Sequence, residues 1–345
     1  MQRTLTKPKA SAPVRGPRWT PLAVSVLALF GVLVLATGVG SVALGPAEVM
    51  RAVWHGFTDQ LSGSADTIIW QIRLPRVLLA ALVGGALALS GAAYQGIFRN
   101  PLADPYLLGV ASGAGFGATL ALVFGAALPW PLRSVPLLSF AFALLSVTAT
   151  LLLARRRGAT SLTALILAGV VLGSSTTALT SLLMLSERDD AARVLAWLLG
   201  SFGLAGWAQL ASAAPFVLLA AAVTLVSARS LNVLQLGEES ATQLGLRVEV
   251  FKLALIAAAT LATAAAVSVS GVIGFVGLMV PHTVRLVTGP DYRTLLPLAA
   301  VFGALFMVLA DLAARTIIAP AEVPIGVITA LVGGPFFLWL LRRKV

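Results

Sequence analysis

The chain has 345 residues, 59% of them hydrophobic and only 11% charged, whereas soluble domains run at about 45–50% apolar and about 25% charged. That composition excludes an ordinary soluble globular protein, and the lack of cysteine excludes a disulfide framework and a thiolate metal site. A net charge of +11 would suggest nucleic acid as a partner for a soluble domain, but in a membrane chain it reads as cytoplasmic loop charge.

Residues 1–18 carry Arg3, Lys7, Lys9, Arg15 and Arg18 and are expected to form a disordered basic cytoplasmic tail. Residues 19–345 are expected to form a single all-α transmembrane domain. At about 20 apolar residues per crossing, spans are predicted near Pro21–Leu44, Val77–Ile97, Leu107–Leu128, Val135–Leu153 and Leu162–Leu185. Five more follow near Trp207–Val226, Val250–Val269, Val272–Leu286, Leu295–Leu312 and Ile325–Leu341, ten in all. The first run is too long for a signal-peptide core and is expected to be retained. With both termini inside, 17 of the 24 Lys and Arg residues fall in cytoplasmic segments, the bias expected of a polytopic inner-membrane protein. Trp19, Trp70, Trp130, Trp197, Trp207 and Trp339 fall at or near predicted span ends, where an indole sits well in the interface.

Along the second span Gly84, Ala88, Ala92 and Gly96 recur at every fourth position, and Gly109, Gly113 and Gly117 repeat the pattern in the third. Such stripes let helix backbones approach closely in lipid, and a glycine hinge is the alternative. After the second span, Asn100-Pro101-Leu102-Ala103-Asp104-Pro105 forms a helix-stopping turn. In the fifth span Ser174, Ser175, Thr176, Thr177, Thr180 and Ser181 either line a wet cavity or bond back to their own helix. The stretch Leu231–Arg247 reads as a turn followed by a short amphipathic helix, too short to cross a bilayer and suited to docking at the inner surface. His282 lacks a companion ligand and is expected to be structural, and His55 suggests no role. Asp311 and Arg315 stand four apart, so they can pair; a coupling-ion site is the alternative.

None of the four lysines follows a glycine and precedes Ser or Thr, so no phosphate-cradling loop exists, and any ATP must be bound by another subunit. No nucleophile elbow, metalloprotease motif or paired intramembrane carboxylates suggests an enzyme. An ion-coupled secondary transporter would need buried charges around a midplane site, and few intramembrane charges are present.

Several stretches resemble the permease subunits of ATP-binding-cassette importers for ferric siderophores, haem and cobalamin, the FecCD/BtuC type. They are Ile72-Arg73-Leu74-Pro75-Arg76, SGAAYQGIFRNPLADPYLLGVASGAGFG (Ser90 to Gly117), LNVLQLGEESATQLGL (Leu231 to Leu246), SGVIGFVGLMVPHTVRL (Ser270 to Leu286) and ADLAARTIIAPAEVPIGVITALVGGPFFLWLL (Ala310 to Leu341). The resemblance implies a BtuC-like fold in the bacterial inner membrane and a homodimer of ten-span subunits. It also implies two cytoplasmic ATPases that bind ATP and magnesium, and a periplasmic substrate-binding protein; no cofactor, metal or nucleic acid is expected on this chain. It implies ATPase coupling at Glu238, Glu239, Ser240, Ala241, Thr242, Gln243, Leu244 and Gly245, and docking of the binding protein at Arg73, Arg76 and Arg315, where headgroup anchoring is the other reading of Arg73 and Arg76. A cytoplasmic gate is implied at Asn100, Pro101, Leu102, Ser161, Leu162 and Thr163. For the pathway, whose wall is assigned mainly to spans five and ten, Ser174, Thr177, Thr180, Ser181 and Thr329 are the candidate lining residues. An iron chelate, ferric siderophore or haem, leads as cargo, with cobalamin as the alternative.

Overall fold

A computed structural model describes residues 19–40, 44–130, 132–156 and 159–344. The predicted tail therefore lies outside the described residues. The chain is helical almost throughout. It runs through α1 (Trp19–Gly38), α2 (Pro46–Phe57), α3 (Gly63–Thr67), a π-helical stretch Ile68–Arg73, α4 (Leu74–Ile97) and a 3-10 turn Pro105–Leu108. Then come α5 (Val110–Phe124), α6 (Val135–Ala154), α7 (Leu162–Ser186), α8 (Arg188–Leu198), α9 (Trp207–Val226), α10 (Ala228–Leu234) and α11 (Glu238–Gln243). The last four are α12 (Val248–Ser270), α13 (Val276–Thr288), α14 (Tyr292–Thr316) and α15 (Ile325–Lys344). Between α6 and α7, Arg155–Arg156 pair antiparallel with Ala159–Thr160.

The helices α4, α12 and α14 form the centre, and α1, α6, α7 and α9 lie outside with their Leu, Val and Phe side chains turned outward. Small residues explain this arrangement. A Cβ on Gly84 would strike the carbonyl of Gly303, and one on Gly303 would strike that of Gly84, so α4 and α14 cross at backbone contact. Gly113 and Gly117 do the same for α5 against Phe142 and Leu138 of α6. Both stripes therefore pack rather than hinge. Polar bonds join the same helices: Ser90 donates to the carbonyl of Ala259 at 3.0 Å, and the hydroxyls of Tyr94 and Thr260 lie 2.8 Å apart. Gln95 donates to the carbonyls of Gly277 and Leu278 at 3.3 and 3.2 Å, binding α4 to α13. Among groups that water does not reach, such bonds remove the cost of unpaired polar atoms.

Eight described helical stretches are long and apolar enough to cross a bilayer, against the ten spans predicted. The predicted eighth span is a helix of 13 residues, α13, about 20 Å at 1.5 Å per residue against a hydrocarbon core of about 30 Å. Gly271, at φ +71°, ends α12 and leaves residues 272–275 outside helical structure. The predicted tenth span has a shorter apolar part, Ile325–Leu340. Conversely, the second span continues upstream as helix from Gly63, and the predicted first outer loop contains α2 and α3. A 12-residue helix such as α2 escapes a search for runs of spanning length, as does α8. The predicted third span is broken at Gly109, φ +82°, where the 3-10 turn passes into α5.

Candidate functional site

At one end of the molecule the π-helical stretch and the first turn of α4 carry Arg73 and Arg76 toward the ends of α1 and α14. The Arg76 guanidinium is shared by two carboxylates. Its Nε and Nη2 donate to Asp311 Oδ1 at 3.0 and 2.8 Å, and its Nη1 and Nη2 donate to Glu322 Oε1 and Oε2 at 2.7 and 2.9 Å. Asp311 is buried, whereas the Glu322 side chain is 40% exposed. The hydrogen-bonded Arg76 guanidinium holds the Glu322 carboxyl below its ordinary range, against a smaller opposing effect of burial. Arg73 is buried and donates to the carbonyls of Thr37 and Gly38, the latter at 3.0 Å; Arg315 donates to that of Ala36. Two arginines thus reach the last carbonyls of α1, which have no partner within the helix. The predicted Asp311–Arg315 pair is present at 3.6 Å, but Arg76 holds Asp311 more closely. Sequence reasoning missed Glu322, which is 246 positions from Arg76 and has no local spacing to announce it.

A groove of about 890 Å³ runs beside α7 and α5. Ser174, Thr177 and Ser181 of the predicted lining face it, joined by Asp104, Tyr106 and Ser112. Thr180 is buried and donates to the carbonyl of Thr176, and Thr329 is buried and donates to that of Gly326, so neither borders this groove. Tyr106 and Asp104 were missed as lining residues because their segment reads as a connector. Asp104 accepts the Tyr106 N–H at 2.7 Å, and the Tyr106 hydroxyl donates to the carbonyl of Ile273 at 2.9 Å. Burial raises the Asp104 carboxyl and the Tyr106 phenol, which favours the protonated form of each.

At the turn after α4, the Asn100 side chain accepts the N–H of Leu102 at 2.9 Å, leaving Leu102 exposed beside the half-buried Pro101. Ser161 caps α7 by accepting the N–H of Ala164 at 3.4 Å, with Leu162 half-buried and Thr163 exposed.

The predicted docking stretch forms two short helices rather than one. Gly237, at φ +109°, turns the chain from α10 into α11, and Gly245, at φ +87°, lies just beyond α11. Ala241 is buried with Leu234 and Val248, while Glu239, Thr242, Gln243, Leu244 and Gly245 are exposed and Glu238 and Ser240 half-buried. Buried Lys252 of α12 lies 3.1 Å from Glu238. Asn232 of α10 donates to Asp291 at 2.7 Å and accepts the N–H of Tyr292 at 2.9 Å, so the short helices are fastened to the start of α14. The Arg293 side chain lowers the Asp291 carboxyl to about 2. Asn232 lies in a stretch singled out in the sequence, but nothing there reveals its partner 59 positions away.

His282 is buried in α13 with its ring near that of Phe336, and His55 pairs with Asp66 at 2.7 Å. Among the described residues no three His, Asp or Glu side chains gather as a metal site.

The model of the FecCD transport family matches residues 27–343. An ABC transporter permease, YvrB of Bacillus subtilis strain 168, is 46% identical over 90% of this chain and 90% of its own length. The cobalamin import permease BtuC of Halobacterium salinarum is 45% identical over 81% of this chain and 75% of its own. The hemin transport permease HmuU of Yersinia pestis is 42% identical over 91% and 94%. Among solved structures, an ABC transporter assigned to the metal-chelate type, in an inward-facing conformation, superposes with a TM-score of 0.84 at 34% identity, covering 94% of this chain and all of that one. PsaBC from Streptococcus pneumoniae, at TM-score 0.53 and 18% identity, shares the fold.

Proposed function

This chain belongs to the FecCD transport family and is an ABC importer permease, and on that premise we propose that it translocates an iron chelate, a ferric siderophore or haem, across the inner membrane by alternating access. A homodimer would place two copies of the α7 groove around a shared path, with α15 nearby. Ten membrane segments per subunit, α13 and α15 included, put both termini in the cytoplasm.

In this reading a loaded binding protein docks at the Arg73, Arg76 and Arg315 cluster, and two separate ATPases press on α11 and the turn after it, at Glu238–Gly245. The segments at Asn100–Leu102 and Ser161–Thr163 close the inner side. Each step needs only that the partners bind one state of the permease more tightly than the other. The observation that carries the reading is the hydroxyl-bearing wall of Ser174, Thr177 and Ser181 in a family whose members include a hemin permease. Hydroxyls without a fixed charge make weak, unspecific contacts that suit a bulky chelate. Cobalamin is the second reading, favoured by the relative from Halobacterium salinarum.

Uptake into proteoliposomes holding the permease, its ATPase and the cognate binding protein, with ferric siderophores, haem and cobalamin offered separately, tests the assignment. Transport of an iron chelate is expected. Transport of cobalamin alone would select the second reading.

A further inference from the structure

Arg76 has two carboxylate partners of opposite character. Asp311 is buried within α14, and removing either member of such a pair leaves an uncompensated charge away from water. Glu322 stands at the surface, on the segment between α14 and α15, and presents both oxygens to Nη1 and Nη2. An exposed pair of this kind contributes little and is readily exchanged. The segment carrying Glu322 is held independently of its side chain. The next residue, Val323, donates its N–H to the carbonyl of Ala314 at 2.9 Å, and Ile325 and Gly326 donate to Gly200 and Leu199 at 3.0 and 2.9 Å. A rotamer change at Glu322 would therefore uncover the outer edge of Arg76 without rebuilding the backbone. With Glu322 turned away, Arg76 and Arg315 would share one carboxylate, Asp311, leaving a local excess of positive charge.

We propose that Glu322 is an internal stand-in for a carboxylate of the docking partner: it occupies the fork of Arg76 in the free permease and is exchanged for an Asp or Glu side chain of the binding protein on docking. The proposal rests on the docking reading given above and assigns Glu322 a role that reading lacks. Docking by exchange of one bidentate pair for another keeps the guanidinium satisfied in both states and weakens the undocked partner's hold. Glu322 thus sets how acidic and how well aimed a partner must be.

The test uses the permease assembled with its ATPase in nanodiscs, titrated with the cargo-free binding protein. Glu322→Gln keeps the size of the side chain and removes its charge, so affinity should rise roughly two- to fivefold, the worth of an exposed ion pair. Arg76→Lys keeps the charge facing Asp311 but loses the fork, so affinity should fall. Should Glu322→Gln bind no better than the unaltered protein while Arg76→Lys binds less well, the exchange is overturned and the docking reading stands. If neither substitution changes affinity, the docking reading fails and takes the exchange with it. A gain from Glu322→Gln with Arg76→Lys unchanged also overturns the exchange, because the gain then does not run through Arg76. Glu322→Asp, which shortens the reach while keeping the charge, is expected to raise affinity in the same direction and serves where Glu322→Gln does not yield folded protein.

Discussion

Arg73 and Arg315 show how a residue chosen for a surface role can have a structural one as well. Both reach the carbonyls at the end of α1, and Arg73 is buried, whereas one edge of the Arg76 guanidinium is covered by the exposed Glu322. The Arg76–Glu322 pair carries a pH dependence whose sign follows from the lowered Glu322 carboxyl. A carboxyl lowered on folding contributes stability that is complete above its unfolded value, near 4.5, and is lost as the pH falls through the lower folded value. The unfolding midpoint of the purified protein should therefore exceed that of Glu322→Gln near neutral pH, and the difference should vanish as the pH falls through the lowered folded-state value of Glu322. A difference that grows on acidification would contradict the pairing.

At the scale of helices, the small-residue stripes were legible in the sequence because a period of four is local, and their partners were not. Gly84 meets Gly303 on α14, a pairing set by three-dimensional packing. Gly84→Val should leave little monodisperse protein after extraction, since its side chain would be driven into the Gly303 carbonyl, whereas Gly31→Ala, with nothing within 4 Å of the added carbon, should be tolerated; size-exclusion profiles distinguish the two. The short helices were only partly legible. The stretch from Leu231 to Arg247 predicted one docking helix, and Gly237 divides it into α10 and α11. Asn232 gives that pair its mechanical link to α14. Asn232→Ala removes both bonds, a cost of about 1–3 kcal/mol, and is expected to lower the cargo moved per ATP hydrolysed while the ATPase still binds. An unchanged ratio would show that force does not pass through this contact.

Over the whole molecule, the apolar composition and the order of the family-like stretches announced a helical membrane permease. The number of crossings was less accessible, because α13 is shorter than a bilayer is thick and α2, α3 and α8 lie where loops were expected. Of the candidate site, Ser174, Thr177 and Ser181 could be picked out as hydroxyls at helical spacing. Asp104, Tyr106 and Glu322 could not, since connectors and loops carry no periodic signal that tells which of their side chains turn inward. In the proposed reading the intact assembly is a conduit in which this chain supplies the path and a separate hydrolase supplies the work. Cargo accumulation in proteoliposomes, compared with and without the ATPase subunits under an imposed sodium or proton gradient, tests that claim most directly. Accumulation should require the ATPase and ATP and ignore the gradient; uphill uptake by this chain alone, fuelled by sodium or protons, would contradict it.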